Sequence, residues 1–190
     1  MRTLPIFTLA ILANITLVLS AHSAPFETLP DGGVRHTPSG FVFPKRIGVF
    51  QREQPHQYDQ GGLDVSAGYN AGALIAATVY VYPAPGDTGP SVPGREYASR
   101  RAEVTQAHGE AVILSETAAT VGQGDKEQSG QRAFFSYRDV FAGTSQDLKS
   151  QLLLFRLGPH FIEYRFTYPR DHAEAAEKQI DSFIRNWAWH

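Results

Sequence analysis

Several stretches of the chain alternate side chains with the two-residue period of a strand. In LDVSAG, Leu63, Val65 and Ala67 oppose Asp64, Ser66 and Gly68. In ALIAATVYVYP, Ile75, Ala77, Val79 and Val81 form one row, and Ala76, Thr78, Tyr80 and Tyr82 form the other. Both rows are mostly apolar, which predicts a central strand covered on both faces. Asn70-Ala71-Gly72 separates these two runs and is a turn signal, so together they read as a hairpin. Further on, RAFFSYRDV sets Ala133, Phe135 and Tyr137 against Phe134 and Ser136. DLKSQLLLFRLG follows, and Gly158-Pro159 turns the chain into FIEYRFTYP. There Ile162, Tyr164, Phe166 and Tyr168 face one way, and Glu163, Arg165 and Thr167 the other. The short spacing predicts an antiparallel meander. Weaker strand signals lie between Phe41 and Phe50, and as two short pieces at Ala111–Leu114 and Ala118–Val121.

Two segments carry the helical period instead. REYASRRAEVTQAH places Tyr97, Arg101, Val104 and His108 on a thin stripe. After Pro169 ends the last strand, Ala173, Ala176, Ile180, Phe183, Ile184 and Trp187 mark one face of a helix, and Lys178, Asp181 and Arg185 the other. Asp171 is the expected N-cap, with Glu174 completing a variant capping box. The expected fold is α+β: an antiparallel sheet of about six strands flanked by two main helices.

The first residues change the picture of the compartment. MRTLPIFTLAILANITLVLSAHSA has one positive charge at Arg2, an apolar run from Ile6 to Leu19 and a small-residue ending, which is the layout of a secretory signal peptide. Cleavage is expected after Ser23 or Ala21, because Pro25 disfavours a cut after Ala24. A retained membrane anchor is the alternative, and only then would the protein touch a membrane. The stretch Pro25–Gly40 is rich in Pro, Gly, Thr, Asp and His and reads as a flexible arm. The expected organisation is therefore 1–23 signal peptide, 24–40 arm and 41–190 a single α+β domain. With no cysteine, the chain has no disulfides, thiol nucleophile or lipoprotein attachment site. An exported chain without cysteine points to a bacterial periplasm or the medium. The net charge of -2 supplies no basic field for nucleic acid.

FIEYRFTYP, followed by a helix ending IDSFIRNWAW, resembles the ending of proteins of the Mog1/PsbP/DcrB-like α/β/α group. FPKRIGVFQR, LDVSAGYN and ATVYVYP are similar to segments of exported bacterial proteins of no assigned activity. The resemblance covers most of residues 41 to 188. It implies a non-enzymatic domain that docks on a protein partner or a larger assembly, and it implies no catalytic residues.

Chemical motifs are sparse. No two of the seven histidines have metal-binding helical spacing, and no metal or other cofactor is expected. Ser66 lacks the glycine frame of a nucleophile elbow. GGLDVSAGYNAG has neither the dinucleotide fingerprint nor a phosphate-binding lysine. SRRAE, between Glu96 and Glu103, reads as helix-surface ion pairs. An enzyme would need a cleft with converging groups, for example His160 with Glu163. The remaining candidate is the charged row of Glu163 and Arg165, with Arg156 and Arg138 from the two preceding strands. It reads as a solvated sheet face or a buffer between sheet and helix; the alternative is a docking patch, to which Tyr80 and Tyr82 would contribute. Two functions follow as expectations: a non-catalytic envelope accessory protein with an unknown protein partner, or a small-molecule or lipid-binding module with a pocket between sheet and helix.

Overall fold

A computed structural model describes residues 24–72, 74–86, 92–121 and 127–187. The segment read as a signal peptide, 1–23, lies outside them. The described chain is α+β, with a large antiparallel sheet and one helix on each of its faces.

The predicted hairpin is strand β7 (Val65–Ala71) with β8 (Ile75–Pro83), and the predicted meander is β10 (Gln128–Phe141), β11 (Thr144–Leu157) and β12 (His160–Pro169). β8 pairs with β12, so the hairpin and the meander fuse into one sheet. That sheet has nine strands, not about six. β9 (Val112–Val121) forms one edge beside β10. Three short pieces, β4 (Arg46–Ile47), β5 (Phe50–Arg52) and β6 (His56–Gln57), extend the other end around β7. Pieces of two or three residues are too short to display a period. β9 escaped for another reason. Nearly all of it is exposed, so burial imposes no alternation, and the polar Ser115-Glu116-Thr117 reads as a gap between two strands.

The stretch read as a flexible arm is ordered. β1 (Phe26–Thr28), β2 (Val34–His36) and β3 (Val42–Phe43) make a separate three-stranded sheet. His36 anchors it and is fully buried. Its Nε2–H donates to the Gly62 carbonyl at 2.6 Å, which leaves Nδ1 to accept from the Ser39 hydroxyl at 2.7 Å. Gly62 sits at φ +65°, and a Cβ there would come within 2.5 Å of Pro25, so this contact requires glycine.

Strand parity assigns the faces. Ile162, Tyr164, Phe166 and Tyr168 of β12 pack with Ile75, Ala77, Val79 and Val81 of β8 against α2 (Ala173–Asn186). Ile180 and Phe183 of α2 enter an aromatic cluster with Phe50, Tyr69 and Trp187, so the predicted apolar face of this helix is its buried face. Its start differs from expectation. Asp171 lies in a 3-10 turn, Arg170–His172, and the N-cap is His172 with no side-chain capping bond. Packing of the apolar face fixes this helix without the cap. α1 (Val92–Ala107) covers the opposite face and buries only Tyr97 and Val104 of the expected stripe.

Burial outweighs the hydrogen bond to the Gly62 carbonyl and the charge of Asp59, and lowers the pKa of His36. The neutral ring therefore contributes stability above its unfolded value of about 6.5, which is lost as pH falls toward the lowered folded value. In urea unfolding, the wild type is expected to exceed His36→Gln in stability at about pH 7.5, and the gap to narrow at about pH 5.5. An unchanged gap would remove the buried neutral histidine as a contributor.

Candidate functional site: a charged cleft beneath the first helix

Glu163 lies on β12 with its side chain toward α1, and it is only 2% exposed. A carboxylate taken out of water needs several bonds to remain there. Arg165, two residues on along the same face, binds Oε1 through its Nε. Oε2 faces the Tyr82 hydroxyl at 3.3 Å and Arg100 Nε at 3.7 Å. Glu103 bridges the two cations: Oε1 takes Arg100 at 2.8 Å and Oε2 takes Arg165 at 2.8 Å. Glu96 completes the set, accepting from Arg100 Nε at 2.7 Å and from the Tyr82 hydroxyl at 3.1 Å. Glu96, Arg100 and Glu103 sit at i, i+4 and i+7 on α1, so one face of the helix, over two turns, presents Arg100 and reaches Arg165 of the sheet.

A loop supplies the outer wall. The Asp59 carboxylate accepts backbone N–H bonds from Gly61, Leu63 and Asp64 and folds the segment between β6 and β7 back on itself. That turn brings Tyr58 and Asp64 together, with Tyr58 N–H donating to the Asp64 carbonyl at 2.9 Å. Tyr58 rests on Tyr80, ring centroids 6.2 Å apart. The result is a cleft of about 210 Å³ between α1, the loop and the sheet. Its lining is Tyr58, Asp64, Tyr80, Tyr82, Arg100, Glu103, Glu163 and Arg165.

Burial raises the Glu163 carboxyl above the ordinary range, with Arg165 and Arg100 pulling the other way. Burial also raises Asp64, helped by the nearby Asp59 charge and opposed by Arg100. The Tyr80 and Tyr82 phenols are pushed up by burial too and stay neutral, and the Tyr82 hydroxyl donates to Glu96. For Arg100 and Arg165 burial works against the charge. Tyr82, Glu96 and Glu163 outweigh it at Arg100, and Glu163 and Glu103 outweigh it at Arg165, so both pKa values rise.

The six residues singled out from the sequence do not share one surface. Tyr80, Tyr82, Glu163 and Arg165 meet in the cleft, where they buffer sheet from helix; the solvated-face reading fails for Glu163 because α1 covers it. Tyr82 lies under the helix, not on an exposed patch, with the Arg100 guanidinium 4.7 Å from its ring centroid. Arg138 is on the other face of the sheet, by strand parity, and pairs with its cross-strand neighbour Asp147 at 2.9 Å. Arg156 bonds the Gly158 carbonyl at the exposed end of β11. His160 and Glu163 fall on opposite faces of β12 and do not converge. Ser66 lines β7 with its hydroxyl 3.1 Å from that of Tyr58. The helix-surface pairs expected around SRRAE are made by Arg100, and they reach inward to the sheet as well. Tyr58, Asp64 and Arg100 were not anticipated as site residues. The one local signal was Asp59 ahead of Gly61-Gly62, which marks a turn but not what the turn carries.

No protein-family model matches the chain, and no curated protein matches it. Likenesses exist among solved structures, and they include the PsbP and Mog1 resemblances named from the sequence. The chain is similar to the cyanobacterial PsbP (CyanoP) of Synechocystis sp. PCC 6803, with TM-score 0.49 and 12% identity over 84% of this chain and 88% of that one. It is similar to a putative regulator of unknown function from Pseudomonas aeruginosa, with TM-score 0.40 and 11% identity over 79% and 92%. It is similar to the Ran-binding protein Mog1p of Saccharomyces cerevisiae, with TM-score 0.40 and 10% identity over 74% and 96%.

Removing one partner of a buried pair leaves the other charge uncompensated. Arg165→Met is expected to cost about 3–5 kcal/mol in urea unfolding, and Arg138→Ala, in an exposed pair, at most about 1 kcal/mol. The double variant Glu163→Met with Arg165→Met is expected to lose less than Arg165→Met alone, because it leaves no orphaned carboxylate on β12. Equal losses for Arg165→Met and Arg138→Ala would contradict the assignment.

Proposed function

We propose that this chain is a non-catalytic binding domain of the bacterial envelope, and that its recognition site is the cleft beneath α1, which takes a small polar molecule. The observation that carries the reading is the buried Glu163 at the floor of an accessible cleft, held by two arginines and a tyrosine. Such a group costs stability to maintain, and convergent polar groups in a concavity are the usual form of a small-ligand site. The sequence expectation of a pocket between sheet and helix is kept, but with polar walls. The only apolar surface of the cleft is the rings of Tyr58, Tyr80 and Tyr82, too little for a lipid chain, and Tyr69 and Phe135 are sealed in core packing. Export rests on the N-terminal sequence pattern alone.

A thermal-shift screen of small polar compounds is the test. Compounds that raise the midpoint of the wild type are expected to have no effect on Tyr58→Ala, whose side chain is about half exposed at the cleft. Hits that stabilise the two proteins equally would remove the cleft as the site.

A second reading, an accessory protein with a protein partner, is favoured by the outer edge of β9, which pairs with no further strand among the described residues and where Val112, Ile113 and Leu114 are exposed. An exposed edge strand is a template for strand addition. Crosslinked pull-down of the chain and of Ile113→Lys is expected to lose the partner only with the variant. A partner retained by both would exclude that edge.

A further inference from the structure

The inference here rests on the reading of the cleft as a binding site and names the class of ligand. We infer that the cleft takes a compact organic cation, an ammonium or guanidinium group, bound by Asp64 beside the faces of Tyr58 and Tyr80.

Charge is the first reason. The lining holds three carboxylates, Asp64, Glu103 and Glu163, against two guanidiniums, Arg100 and Arg165. Both guanidiniums are already engaged. Arg100 binds Glu96 and Glu103, and Arg165 binds Glu103 and Glu163. Glu96 comes from outside the lining, so the carboxylate excess around the cleft exceeds what the lining alone shows. An incoming anion would have to displace these intramolecular carboxylates; a cation meets no such competitor.

Asp64 is the second reason. Its backbone N–H and carbonyl are both used in the loop, at Asp59 and Tyr58. Among the described residues its carboxylate makes no hydrogen bond and no ion pair, although it lines the cleft and is partly withdrawn from water. A half-buried carboxylate with open acceptor positions is matched by an N–H donor that carries charge, because charge-assisted bonds are the stronger ones.

The rings are the third reason. The neighbouring tyrosine faces already receive cations from within the chain: Arg100 lies 4.7 Å from the Tyr82 centroid, and Arg165 lies 5.6 Å from the Tyr80 centroid. Tyr58 has the same ring chemistry at the mouth; the His56 ring meets it at 4.5 Å and Tyr80 at 6.2 Å, and among the described residues no lysine or arginine lies over it. A cation between Tyr58 and Asp64 would extend the pattern of guanidinium over tyrosine by one position. The cleft volume of about 210 Å³ sets the scale, a head group with a few carbons.

The test is calorimetric titration of the full chain with four probes that share a four-carbon chain: butylammonium, butylguanidinium, butyramide and butyrate. Both cations are expected to bind saturably and at least about tenfold tighter than the amide, a difference of about 1.4 kcal/mol, with no heat from butyrate. Asp64→Asn is expected to weaken the cations at least about tenfold while keeping its thermal midpoint, since that carboxylate holds nothing in the fold. Butyrate binding as tightly as butylammonium would overturn the cationic class and leave the cleft standing as a site. Cations binding the wild type and Asp64→Asn alike would overturn it as well, by moving them elsewhere. Silence from both cations would also overturn it; the cleft reading then stands or falls on the broader screen with Tyr58→Ala.

Discussion

The Glu163 carboxylate, closed under a helix between two arginines, is the constraint around which this half of the molecule is arranged. A buried charge tolerates little freedom in its partners, because losing one exposes the full desolvation cost of the other. Arg165 is fixed by the strand itself. Arg100 comes from α1, so the helix must lie where its guanidinium reaches Oε2. Glu103 then ties both arginines together, and Glu96 orients Arg100 from the previous turn. Side chains joined by directional bonds do not interdigitate as aliphatic ones do. A gap beside them is the geometric result, and the loop of Tyr58 and Asp64 walls it rather than filling it.

The two faces of the sheet therefore differ in kind. Against α2 the contacts are rings at edge and face angles, Phe183 touching Phe50, Tyr69, Tyr164 and Phe166, a packing that is dense and close to water-free. Against α1 a smaller apolar cluster, centred on Phe135, Leu152 and Phe161, gives way at β12 and β8 to ion pairs and phenols. One face supplies cohesion and the other supplies chemistry. β12 serves both, with Tyr164 on one side and Glu163 on the other.

Sequence period revealed the parts whose two faces differ or whose turns are tight. The β7–β8 hairpin, the β10–β12 meander and the apolar face of α2 were all legible because burial writes alternation into them. β3 to β5 left only the weak signal between Phe41 and Phe50, and β1, β2 and β6 left none, since strands of two or three residues show no period and are fixed by contacts such as that of His36 with Gly62. Parity correctly put Glu163 and Arg165 on one side of β12. It does not say what lies over that side, and a polar row under a polar helix looks like a polar row in water. Arg138 shows the converse limit: its strand neighbours the others, but its position on β10 turns it to the opposite face. Asp64 and Tyr58 reach the cleft through a turn organised by Asp59, and no spacing rule along the chain encodes that juxtaposition.

The thin apolar stripe of α1 has a dynamic consequence. Proteins open in cooperative units, and those with few buried apolar contacts open at the lowest free energy. With Tyr97 and Val104 as its only buried side chains among the described residues, α1 is such a unit, while β11 and β12 belong to the most protected one. Its amides are placed to exchange with solvent through local undocking, without global unfolding. Because the remaining attachment is largely ionic, electrolyte screens it and shifts that opening, whereas the ring-packed helix on the other face, with two rim ion pairs of its own, depends on electrolyte far less. The roof of the cleft is thus the element with the least apolar hold on the sheet, and its undocking would open the Glu163 carboxylate to water.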